Sequence, residues 1–192
     1  MATSVEFIGA SPPSSRPHTT FNDRHAHRLA EAKTNLALMH DLLSGEKYSI
    51  NICIEKYKLN RNIITLRLIT LAAVAAAVSS LHLDAKKNTH SVFIDLATGG
   101  YDFKEVEKFY EISRNEMIIC LADVAKEGVE KGKAMGWSKE KLVRVMTWHD
   151  RGKGLGLVQS IARVEKEDAE EVKKELREEE WVDVEMEDAE RM

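Results

Sequence analysis

Residues 63–83, IITLRLITLAAVAAAVSSLHL, form the most apolar stretch in the chain. Between Arg67 and His82 the segment Leu68 to Leu81 carries no charge and is rich in alanine, the strongest helix former. A helix over this run spans about 21 Å at 1.5 Å per residue, against roughly 30 Å for the hydrocarbon core of a bilayer. Arg67 opposes extension toward Ile63, because a charge at that depth is costly in lipid. The stretch therefore predicts the central, buried helix of a soluble bundle, and stable membrane insertion is not expected.

The rest of the chain fits a single all-α domain around that helix. Its 192 residues are 43% apolar and 31% charged, with three prolines, which excludes collagen-like and wholly disordered chains and suits one core. Residues 1–20, with Ser11-Pro12-Pro13-Ser14-Ser15-Arg16-Pro17 at their centre, are too polar and proline-rich to offset chain entropy and are expected to form a disordered arm. From Asn22 or Asp23 the positions Leu29, Ala32, Leu36, Met39 and Leu43 step by three and four, which predicts a helix closed by Gly45. Residues 46–60 are ambiguous between strand and helix; with no partner strand evident, helix is preferred.

Residues 84–101 read as a connector holding a short apolar piece, Val92 to Ala97. Asp102 and Glu105 have capping-box spacing and open one long helix toward Gly136. Gly128, Gly132 and Gly136 lie on one side of it, explained either by close approach of another helix or, more plainly, by fraying toward a turn at Gly136. Ser138 caps a further helix with Leu142, Val145 and Met146 on its buried side, and a last helix starts near Leu157. The expected organisation is a helical domain of five or six helices over 21–164, followed by an acidic, partly frayed C-terminal helix over 165–192.

Charge is unevenly spread. From Glu165 to Met192 there are 14 acidic and 5 basic residues, while the preceding residues hold 23 basic and 18 acidic ones. That asymmetry can bring the tail onto a basic face or simply keep the protein soluble. Two cysteines, Cys53 and Cys120, in apolar surroundings fit buried thiols in a reducing compartment, and residues 1–10 lack the pattern of a secretory signal. A cytoplasmic location is expected.

The sharpest chemical pattern is Thr147-Trp148-His149-Asp150-Arg151-Gly152-Lys153. Together with the turn Ala134-Met135-Gly136-Trp137 and the helix Ser138 to Trp148, it resembles the signature of the HD phosphohydrolase family. The resemblance implies a divalent metal held by His149 and Asp150, with Cys120 where the family places its first histidine and Asp168 as the nearest later carboxylate. Such a metal would activate water and neutralise a phosphate ester. Arg151 and Lys153, in the glycine-rich loop 151–156, are candidates for holding the phosphate. Residues 126–153 are basic and interleave Trp137 and Trp148, but they match no nucleic-acid motif, so nucleic acid is not an expected partner.

No complete catalytic constellation appears, and no catalytic or cofactor-binding residue is expected. The preferred expectation is an intracellular protein-interaction or assembly module, partnered by another protein or by itself. A metal-dependent phosphohydrolase is the alternative, and a membrane-active helical protein the second.

Overall fold

A computed structural model describes residues 21–44, 49–149 and 156–190, with Phe21 and residues 176–190 as backbone alone. Among the described residues the chain is all-helical: α1 (Phe21–Leu43), α2 (Ile50–Tyr57), α3 (Arg61–Val78), α4 (Asn88–Thr98), α5 (Phe103–Tyr110), α6 (Arg114–Ala134), α7 (Lys139–Trp148) and α8 (Leu157–Glu190). The all-α expectation holds and residues 50–57 are helical. Two places raise the helix count above the expected five or six. The predicted N-terminal arm, residues 1–20, lies outside the described residues.

The first is the presumed connector at 84–101, most of which is α4. No side chain caps its first turn. The helix is held by burial of Val92, Phe93 and Leu96, and it ends at Gly99 in the left-handed conformation, φ 73°. The second is the long helix expected from Asp102, which is broken into α5 and α6. Asp102 accepts from the backbone N–H groups of Lys104 and Glu105, both at 2.8 Å, and Glu105 Oε2 accepts from Asp102 N–H at 2.7 Å, completing the predicted capping box. After eight helical residues Glu111 turns left-handed, φ 54°, and Ser113 with Glu116 builds a second capping box that starts α6. Ser113 and Glu116 have the same spacing as Asp102 and Glu105, so the break has its own local signal.

The long apolar stretch is helical only to Val78. Asn60 caps its start by accepting from Ile63 N–H at 2.9 Å, and Ser80, at φ 46°, marks the turn beyond its end. Helix α3 packs most extensively along α6, with α1, α4, α7 and α8 contributing smaller contacts. Ten of its 18 residues are buried. It is the described helix whose length and composition would let it cross a membrane, yet it is the core element of this bundle. The wrapping is incomplete on one side, however. Ile63 and Leu66 are exposed, and Arg67, Thr70 and Ala73 on the same side are partly open.

The side of α1 that faces the core is rotated from the expected stripe. Ala32, Asn35, Leu38, Met39 and Leu42 are buried, whereas Leu29, Leu36 and Leu43 are only half-buried. Leu38 and Leu42 belong to a second row, one residue before the row read from the sequence. The helix meets α7, α6, α2 and α3 in turn, so its core-facing surface is wider than a single stripe.

Gly128 overturns the plainer reading of the glycine series. A Cβ there would lie 2.8 Å from the Ala75 carbonyl carbon and 2.9 Å from Ala75 Cβ, so glycine and alanine let α3 and α6 touch along their backbones. Gly132 is different: the nearest atom to an added Cβ is Trp137 Cβ at 3.5 Å, an ordinary contact. Gly136 does form the expected turn, at φ 83°. The two helical glycines should consequently respond in opposite directions. Gly128→Ala is expected to destabilise by about 1–3 kcal/mol through overpacking, and Gly132→Ala to stabilise by up to about 1 kcal/mol through helix propensity. Urea unfolding of the two variants checks the sign of each.

Candidate functional site

The end of α7 carries the sequence's chemical pattern, and three helices converge on it. Ser138 Oγ accepts from Lys141 N–H at 3.2 Å and starts α7, whose Leu142, Val145 and Met146 are buried as predicted. His149 is the C-cap, its N–H donating to the Val145 carbonyl at 2.9 Å. His149 lines a cleft of about 310 Å³ between α1, α3 and the end of α7. Asp150, Arg151 and Lys153 lie outside the described residues.

The floor of this cleft is the incompletely wrapped side of α3, with Ile63, Leu66, Arg67 and Thr70, and α1 supplies Arg28, Glu31 and Asn35. Asn35 is 5% exposed, and its Oδ1 is buried with no hydrogen-bond partner. Leaving such an acceptor unsatisfied costs about 1–3 kcal/mol. The Arg67 side chain is 18% exposed, and Glu31 Oε1 lies 3.4 Å from its Nε, but that buried nitrogen makes no hydrogen bond. An unsatisfied acceptor and an unbonded guanidinium nitrogen thus lie buried beside the cleft, out of contact with solvent. The sequence reading treated Arg67 only as a break in an apolar run and passed over Asn35; a polar residue on the buried side of α1 was the available signal.

The other two metal candidates stand elsewhere. Cys120 lies on α6, partly buried; burial raises its thiol pKa and the nearby carboxylates of Asp123 and Glu116 raise it further, so the neutral thiol is favoured. Asp168 lies on α8 and is held by two cations of α7: Arg144 Nη1 donates to Oδ1 at 2.5 Å, and Lys141 Nζ lies 2.6 Å from Oδ2. Arg144 Nη2 also donates to Glu167 at 2.8 Å. Neither Cys120 nor Asp168 lines the cleft of His149, and no three His, Cys, Asp or Glu side chains are grouped for a metal among the described residues. The candidates that the structure describes are therefore not brought together.

Instead, Asp168 helps dock α8. Ser160 and Val164 are fully buried at the start of that helix, and the Arg163 guanidinium carbon lies 3.6 Å from the centre of the Trp148 ring, with His25 of α1 packed beside the same ring. This joins α1, α7 and α8 around one indole. Past Asp168, residues 169–175 are all exposed.

A wider recess of about 740 Å³ opens between α1, α2 and α6, reaching the start of α7. Met39 and Val129 line it with the exposed lysines Lys126, Lys133 and Lys139. At its α1–α2 side, buried Asp41 accepts from Lys56 Nζ and, at 2.7 Å, from Tyr57 Oη. Burial would raise the pKa of Asp41, but the hydrogen bonds from Lys56 and Tyr57 outweigh that and leave it lowered.

Comparison of the chain with protein-family models, with curated proteins and with solved structures finds no match.

The α7–α8 clamp is expected to make docking pH-dependent. Hydrogen bonding from Lys141, then Arg144, lowers the Asp168 pKa; for Glu167, burial acts upward but is outweighed by hydrogen bonds from Arg144 and Arg163. Carboxyls lowered in the folded state stabilise it above their unfolded values, near 4, and lose that contribution as pH falls through the lowered values. Tryptophan emission is therefore expected to stay constant from pH 8 to 5 and to shift red below about pH 4 as α8 leaves Trp148. Arg144→Ala should move the onset to higher pH, and an unchanged profile in that variant would count against the clamp.

Proposed function

We propose that this chain is an intracellular assembly module whose partner is a second copy of itself, with the acidic α8 of each copy seated on the lysine-lined recess of the other. The observation that carries this reading is the change in α8 at Asp168. Before that residue the helix is anchored by Val164 and the Arg144 clamp; after it, residues 169–175 are exposed.

Charge favours a copy of the same chain over an unrelated partner. The segment from Glu165 onward carries 14 acidic against 5 basic residues, and the preceding residues have the opposite excess. Lys126, Lys133 and Lys139, with exposed Glu130 as the opposing charge, edge a recess with apolar Met39 and Val129. The exposed part of α8 offers matching chemistry, with Val172 among Glu170, Glu171 and Glu175. Reciprocal seating uses both surfaces twice and closes as a two-fold dimer. The two free cysteines suit a reducing interior, which supports the intracellular part of the reading.

Sedimentation velocity of the full chain at low salt is expected to show a dimer that dissociates near 1 M salt, where screening reaches about 3 Å. A Lys126→Glu, Lys133→Glu chain and a Glu171→Lys, Glu175→Lys chain should each be monomeric alone and should form a mixed dimer when combined, since both contacts are then complementary. A wild-type chain that stays monomeric at every salt concentration, or reversed chains that fail to pair, would overturn the reading.

A further inference from the structure

Two stretches of the chain repeat one local design 53 residues apart, counted from Lys58 to Glu111. Helices α2 and α5 are both eight residues long, and each is closed by a residue in the left-handed region, Lys58 and Glu111, both at φ 54°. Residues other than glycine adopt that conformation uncommonly. The next residue in each turn, Leu59 or Ile112, donates its N–H to the carbonyl of Ile54 or Glu107, at 3.2 and 3.1 Å, and an N-cap follows, Asn60 or Ser113. Arg-Asn then opens both α3 and α6. The helices before each turn conform as well. Tyr57 of α2 donates to Asp41 of α1, and Tyr110 of α5 donates to Asp95 of α4, both at 2.7 Å and across 16 and 15 positions of chain.

The two stretches also meet as equivalents. Eight of the ten positions buried in α3 have a buried counterpart 53 residues on in α6, among them the identical pairs Leu68 and Leu121, Ala72 and Ala125. At the start of the helices Arg61 Nε donates to Asn115 Oδ1 at 3.0 Å, and Arg114 Nη1 donates to Asn62 Oδ1, the same contact with the two sides exchanged. Toward their ends Gly128 lies against its own counterpart Ala75, and a Cβ added to Gly132 would lie 3.9 Å from Cβ of its counterpart Ser79. Reciprocal contacts, with equivalent residues meeting each other, are the mark of a two-fold interface. Equivalent residues meet near both ends, so α3 and α6 run parallel with the axis between them.

We infer that α1–α3 and α4–α6 are two copies of one three-helix unit, joined within a single chain as the protomers of a two-fold dimer are joined between chains, with α3 and α6 as the shared interaction surface. The units differ outside that surface. Helix α1 has 23 residues where α4 has 11, and His25 in its extra half packs on Trp148, which Arg163 also covers. The remaining helices, α7 and α8, are thereby attached to the first unit, and the two-fold relation ends there.

Two measurements on the full chain test the inference. In urea unfolding, Gly128→Ala and Ala75→Gly are each expected to lower the midpoint alone, the first by overpacking and the second by placing glycine inside a helix. Combined, they present the same alanine and glycine across the axis with the sides exchanged, so adding Ala75→Gly to Gly128→Ala should recover at least half of the loss. Nitroxide labels read the geometry directly. In a Cys53→Val, Cys120→Ala background at 1 M salt, where the charge contacts proposed for assembly are screened, one chain carries labels at positions 58 and 108 and another at positions 111 and 55, all exposed. A two-fold axis makes these two separations equivalent, so pulsed electron–electron resonance should give coincident distance distributions. A combined variant no more stable than Gly128→Ala, or distributions with separate maxima, would overturn the inference. Should Gly128→Ala fail to fold by itself, the label distances decide.

Discussion

The contact between Gly128 of α6 and Ala75 of α3 sets the dimensions of the whole bundle. An added Cβ on Gly128 would overlap the Ala75 backbone, so these two helices cross about as closely as backbones permit. The alanine-rich half of α3 makes this possible, since Ala72, Ala75 and Ala76 are buried without bulk. Burial of such small side chains contributes little area per residue. Close backbone packing, and the larger Leu68, Leu71, Met117, Ile118 and Leu121 around it, supply the rest of the core. Because α6 takes one side of α3 so tightly, the smaller helices must share the remainder. They leave Ile63, Leu66 and Thr70 open, and the cleft follows from that incomplete cover.

Polar clusters fasten the outer helices at defined places. Asp41 of α1 receives Lys56 and Tyr57 of α2, and Asp168 of α8 receives Arg144 and Lys141 of α7. Buried His90 of α4 accepts from Asp84 N–H through Nδ1 at 3.0 Å, which leaves Nε2 to donate to Glu127 of α6 at 3.1 Å. Lys87 joins the same Glu127. Each cluster is partly solvated, so its net stabilisation is modest; its effect is to select which helix faces meet. An apolar stripe alone allows sliding by a turn, whereas a carboxylate with two designated donors fits one register.

Much of this arrangement is readable from local sequence because it arises from local physics. The charge-free run beginning at Leu68, the Asp102 and Glu105 box, the Ser138 cap and the turn at Gly136 each have a short-range cause that needs no tertiary information. Residues 113–116 were equally readable, yet the apolar continuity across Ile112 hid the second box. Helix α4 was less legible: it has no side-chain cap, and its apolar face becomes meaningful only against α6. The role of Gly128 was not legible either, since identical spacing covers three glycines with three different surroundings. Asp168 shows the same limit. Its carboxylate suits a metal by residue type, but Arg144 and Lys141, more than twenty residues away in sequence, reach it first.

Asn35 and Arg67 are the two residues at which sequence pattern and packing disagree. An amide on the buried side of an amphipathic helix and a guanidinium inside an otherwise apolar run each weaken the element that carries them. Elsewhere in the bundle, Asp41 and His90 occupy comparable buried positions and have their partners supplied by neighbouring helices. At the cleft the neighbouring helices supply none for Asn35 Oδ1, and only a misaligned carboxylate for Arg67. Two helices far apart in sequence order, α1 and α3, bring these exceptions together beneath one opening. Stability alone does not account for that convergence, because an apolar residue at position 35 would remove the unsatisfied group without disturbing the stripe.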